Sequence, residues 1–126
     1  MGVTQVTVLI RNPAEPDRTR EGLFLVDTGA IDSLVPRPRL EAIGLKPNGQ
    51  RVSGLADGSE VRLDITTADI EFLGEIAGGT IVFGAEDAEP LLGVTALESV
   101  GIEFDPRNQA LKRLPTTRLK GFARRS

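Results

Sequence analysis

Apolar residues recur at every second position along much of this chain, the period of a strand with one dry and one wet face. Thr4 to Ile10 is predicted to be a first strand, and Asn12-Pro13 ends the run, because proline has no amide to donate to a ladder. Asn12 to Asp17 holds two prolines and is predicted to be a loop. A second strand is expected over Arg20 to Asp27 and a short third over Ser33 to Val35, stopped by Pro36 and Pro38. Leu40 and Ile43 stand at i, i+3 before Gly44, which predicts about one turn of helix closed by a glycine.

From Val52 to Ile65 the pattern becomes a hairpin. Asp57-Gly58 predicts a two-residue type I′ turn at its tip, since both central residues of such a turn need positive φ. Val61, Leu63 and Ile65 alternate with Arg62, Asp64 and Thr66. We expect the alternation to run on through Ile70 and Phe72, to turn near Gly74-Glu75 or Gly78-Gly79, and to resume at Ile81-Val82-Phe83. After the acidic loop Glu86 to Glu89 comes Leu91-Leu92-Gly93. Val94, Leu97 and Val100 then repeat at i, i+3, so a short C-terminal helix is expected from Val94 to Gly101. Ile102–Phe104 and Gln109–Leu114 complete a last hairpin around Asp105-Pro106-Arg107-Asn108. The class is mainly β, organised as a domain over residues 1–115. Residues 116–126 carry Arg118, Lys120, Arg124 and Arg125 without an acid and are expected to form a mobile basic tail.

Composition narrows the chemistry. A chain of 126 residues is sized for one domain with a real core. A net charge of -3, with five Phe and neither Trp nor Tyr, leaves no basic or stacking surface on which to expect nucleic acid. There is no His and no Cys, which excludes Cys-His and Ser-His-Asp catalysis and His/Cys metal sites within the chain. Acid–base work falls to Asp, Glu or Lys, and neither metal nor cofactor is expected. The opening residues Met1 to Val6 lack the charged and apolar regions of a signal peptide. The longest apolar stretch, Ile76 to Ala85, is about half of what a membrane helix needs. A cytoplasmic protein without a membrane partner is expected.

The candidate catalyst is Asp27, in Val26-Asp27-Thr28-Gly29-Ala30 directly behind Leu23-Phe24-Leu25. Alone, such a tripeptide is an ordinary strand-ending turn. Its neighbours change the weight. An apolar strand runs into D-T-G-A, a Gly-tipped hairpin follows, and an apolar-apolar-Gly segment leads into a helix. In that order, from about Thr4 to Leu114, the chain resembles the retropepsin-like aspartic proteases, and its ending from Leu91 to Pro106 is similar to small bacterial and archaeal relatives of that group. The resemblance implies a closed β-barrel subunit with its active site at a twofold dimer interface. It assigns Asp27 as catalytic, Thr28, Gly29 and Ala30 as support of the active-site loop, and Ala56, Asp57, Gly58 and Ser59 as the flap tip.

Two carboxylates about 3 Å apart cannot both ionise, so such a pair shares a proton and acts as base toward water and acid toward the carbonyl. One chain supplies one D-T-G, so the resemblance implies a homodimer acting on an extended peptide or protein substrate, with Thr28 bonded across the axis. One departure stands out. Many viral relatives carry an acid and an arginine where this chain has Ile31 and Val94; Asp32 follows and is expected to take over part of that role. Two alternatives therefore stay open: a catalytically silent module of the same fold that dimerises or grips a peptide, and a small β-barrel unrelated to proteases.

Overall fold

The computed structural model describes residues 4–115. Along them run β1 (Gln5–Asn12), β2 (Glu15–Asp27), β3 (Ser33–Pro36), α1 (Arg37–Ala42), β4 (Gly49–Gly54), β5 (Glu60–Phe72) and β6 (Glu75–Gly84), then β7 (Leu91–Gly93), α2 (Val94–Ser99), β8 (Ile102–Asp105) and β9 (Ala110–Arg113). The protein is mainly β. Seven strands form one sheet in the order β1-β2-β7-β3-β6-β5-β4, and β1 pairs again with β5. Six strands therefore close into a ring, with β4 attached outside it to β5. Strands β8 and β9 pair only with each other. The expected tail, 116–126, lies outside the described residues.

The ring encloses the core. Val6, Val8 and Ile10 of β1 are buried and join one core cluster with Phe24, Ile70, Phe72, Ile81, Phe83 and Leu92. Helix α1 adds Leu40 and α2 adds Ala96 and Leu97. Gly44, at φ 81°, closes α1: its amide donates to the Glu41 carbonyl and that of Leu45 to Leu40, the paired bonds of a Schellman end. Asn12, buried with this layer, is satisfied because its side-chain amide donates to the Ile43 carbonyl at 2.9 Å while its oxygen accepts from the Ala14 amide.

Four expectations need correction. The loop predicted over Asn12–Asp17 is only a tight turn at Pro13-Ala14, and β2 starts at Glu15. Pro16 is tolerated because it falls where the β1–β2 register slips, between Arg11↔Thr19 and Asn12↔Glu15, and has no ladder partner to lose. The helix expected from Val94 to Gly101 ends at Ser99, whereas the turn of helix expected before Gly44 is present as α1.

The hairpin tip is not a type I′ turn. Leu55 accepts from the Gly58 amide at 3.0 Å and its own amide donates to Ser59 at 2.8 Å, and among the residues of this tip only Gly58 has positive φ. This is a three-residue loop with glycine at the left-handed position. The two-residue turn with both φ positive lies instead at Leu73-Gly74, between β5 and β6.

The fourth correction concerns the phase of β5. Val61, Leu63 and Ile65 are half-buried on one face, but the buried set from Thr66 onward is Thr66, Ala68, Ile70 and Phe72, on the other. Up to Ile65 the strand pairs with β4 outside the ring, and from Ile65 onward it pairs with β6 inside it. The dry face changes sides because the neighbour that covers it changes.

Candidate functional site

Asp27 is the last residue of β2, half-buried, and its strand lies parallel to β7 with Asp27 opposite Gly93. The chain then turns sharply. The Gly29 amide donates to Asp27 Oδ1 at 3.0 Å and the Ala30 amide to the Asp27 carbonyl at 3.1 Å. The carboxylate is thus oriented by its own loop. A side chain at Gly29 would place a Cβ 3.3 Å from that same oxygen.

The loop is fastened to the start of α2. Val94 donates to the Ala30 carbonyl at 2.8 Å and Thr95 to Ile31 at 3.2 Å, while the Gly93 amide donates to the buried Ser33 Oγ at 3.0 Å. A Cβ on Gly93 would lie 2.6 Å from the Asp32 carbonyl carbon and 2.7 Å from the Ile31 oxygen. These are backbone atoms, so the glycine is obligatory there. Leu91-Leu92-Gly93 and Asp27 to Ala30, distant in sequence, form one braced unit.

A groove of about 460 Å³ opens beside this unit, lined by Gly29, Ile31 and Asp32 on one wall and by Arg51, Val52, Ser53 and Leu63 of the β4–β5 hairpin on the other, with Val82 also on its lining. The structure thus brings the Asp27 loop and the hairpin strands around one space. Asp27 itself and the tip residues Ala56 to Ser59 do not line it. The tip stands clear: nothing lies within 4 Å of a Cβ built on Gly58. Asp57 is held within the tip by the Ser59 hydroxyl and amide, which keep its carboxyl below the usual range. Thr28 is exposed and faces a second hollow of about 260 Å³, lined also by Val94, Leu97, Ile102, Phe104 and Leu114.

Two polar ties join the hairpin to the ring. Asp64 of β5 binds the Arg37 guanidinium of α1, and Gln50 donates to its other oxygen at 3.2 Å. These bonds, the arginine's first, hold the Asp64 carboxyl below its ordinary value. Arg37 also lies 4.6 Å over the Phe83 ring, a cation–π contact. The second tie is Arg51 Nε to Asp32 Oδ2 at 3.0 Å. Sequence reading singled out Asp32 but not Arg51, whose place in an exposed alternating strand carries no local signal, nor Ser33, which reads only as a strand residue.

Among the described residues no cluster of His, Cys, Asp and Glu is placed to hold a metal ion, and no helix is long and apolar enough to cross a membrane. Neither a scan against protein-family models nor a search of curated proteins returns a match.

Proposed function

We propose that this chain is one subunit of a homodimeric aspartic endopeptidase of retropepsin type, with Asp27 of each copy forming the catalytic dyad. The observation that carries the reading is the pairing of the Asp27 strand with Leu91-Leu92-Gly93, where a Cβ at Gly93 is forbidden by the loop that follows Asp27. It gives the two sequence segments behind the resemblance one shared structural reason. On this reading the six-strand ring is the subunit's closed barrel, and the β4–β5 hairpin is a flap over an extended peptide or protein substrate in the groove.

The chemistry follows from two carboxyls on one proton. The ionised Asp27 takes a proton from water as the water attacks the scissile carbonyl; the protonated Asp27 donates to the carbonyl oxygen. A tetrahedral diol forms. The carboxyl that took the water proton passes it to the leaving nitrogen while the other takes a diol hydroxyl proton. The C–N bond breaks, and acid and amine leave with one proton again shared by the pair. A lone copy offers one D-T-G, so an isologous partner must bring the second. The hollow beside Thr28, lined by Val94, Leu97, Ile102, Phe104 and Leu114 with Glu98 and Glu103 among them, offers apolar surface edged by acids to that partner. Neither a metal nor a cofactor enters the scheme. A cysteine-free chain is compatible with a reducing cytoplasm, and that location is part of the proposal.

Ile31, 71% exposed beside the loop, favours a second reading. With Val94 it replaces the ion pair of viral relatives, consistent with a silent module that dimerises or grips peptides. Digestion of an unbiased peptide mixture separates the two: cleavage that Asp27→Asn abolishes supports the peptidase, and no cleavage by wild type supports the module.

A further inference from the structure

We propose that Arg51 is a positioning residue, which by pairing with Asp32 latches the β4–β5 ribbon against the loop that follows Asp27. The ribbon needs such a tie. Among the described residues strand β4 has no partner but β5, and β5 gains its second neighbour, β6, only from Ile65. Five of the six residues of β4 are exposed and Ser53 is half-buried, so no core holds this strand. A two-stranded hairpin on its own is marginal in water.

Its side-chain ties leave neighbouring rungs, Gln50–Asp64 and Arg51–Leu63, on opposite faces of the ribbon, and their roles differ. The Asp64–Arg37 pair sits where β5 enters the ring, at the ribbon's base, and Arg37 is itself packed over Phe83. That end is a hinge. The Arg51–Asp32 pair spans the groove from one wall to the other. Asp32 is its fixed end: the side chain is 16% exposed, its backbone is pressed against Gly93, and the neighbouring Ile31 carbonyl is bonded to Thr95. Arg51, with its side chain 48% exposed, is the end that lets go. For the ribbon to lift and admit a chain into the groove this pair must break, and an ion pair so exposed is weak enough to break readily while still biasing the closed form.

Hydrogen exchange on the full chain tests the latch without any substrate. Arg51→Gln and Asp32→Asn should each speed exchange of the amides from Gly49 to Ser59 roughly two- to five-fold, the range an exposed pair supports. The double variant should be no faster than either single, because both remove one interaction, while Val8 and Ile70 amides in the ring stay at wild-type rates. Arg51→Lys, which keeps the charge, should recover part of the protection. Unchanged exchange in both single variants, or additive effects in the double, would overturn the latch. Its consequence for turnover, a raised KM in Arg51→Gln with the conservative lysine closer to wild type, rests on the peptidase reading. A wild type that cleaves nothing would sink that reading and leave the exchange result standing.

Discussion

Asp27 lies in parallel register with Gly93, and the space beside Gly93 that a side chain would need is occupied by backbone of Ile31 and Asp32. The carboxylate's position is therefore set by packing of main chain on main chain, tighter than any side-chain contact would give. Ala30 and Ile31 accept bonds from Val94 and Thr95 at the other end of the same unit.

Gly93→Ala should consequently be costly despite adding one methyl group. Its Cβ would meet rigid backbone at 2.6–2.7 Å, and overpacking of this kind costs about 1–3 kcal/mol. Urea unfolding should show a lowered midpoint, and amides of Gly29 and Ala30 should exchange faster. A variant with wild-type stability and exchange would mean the loop yields freely.

Asp64 gives a pH dependence whose sign is fixed by its partners. Arg37, then Gln50, lower its carboxyl below the ordinary 3.8. A depressed folded value means the unfolded chain binds the proton more readily, so the tie stabilises fully above pH 3.8 and is lost as pH falls below it through the lowered value. Asp64→Asn should flatten that part of the acid-unfolding curve. A carboxyl chemical shift that titrates at the ordinary value in the folded protein would contradict the bond to Arg37.

Much of the fold is legible in the sequence, and the failures have local causes. Val6, Val8 and Ile10 announce their strand because one neighbour layer covers one face throughout. The phase change in β5 is also written in the residues, since the apolar set moves from Leu63 and Ile65 to Ala68, Ile70 and Phe72, but its meaning depends on which strands lie alongside. Turn chemistry misled at Asp57-Gly58, where a type I turn followed by glycine satisfies the same residues that a type I′ turn would. A turn is legible near Gly74-Glu75, but its two-residue type at Leu73-Gly74 is not, because leucine at φ 50° is a conformation its own preferences oppose. At the candidate site, Asp27 and Gly93 are visible as motifs. Arg51 is not, because a pairing across a groove between residues 19 apart leaves no periodic trace.

The hollow beside Thr28 offers a test of association apart from chemistry. Leu114, 44% exposed, lines it and is fastened to the fold through a backbone bond to Gly101. Leu114→Glu should leave the monomer folded, since the side chain is outside the core, and weaken dimerisation about tenfold or more, the equivalent of roughly 1.4 kcal/mol. Sedimentation across micromolar concentrations reads this directly. Equal association of variant and wild type would move the interface elsewhere.

The shared dyad is tested most directly by mixing wild type with Asp27→Asn, allowing subunits to exchange, and measuring peptide cleavage at constant total protein. The amide keeps the shape and removes the base, so the variant should dimerise and be inactive. Random pairing at equal amounts leaves wild-type homodimers as about one quarter of the dimers, and activity should fall to about one quarter of the unmixed value. A fall to about one half, in proportion to the wild-type fraction, would show that each subunit works alone and would contradict a dyad built from two copies of Asp27.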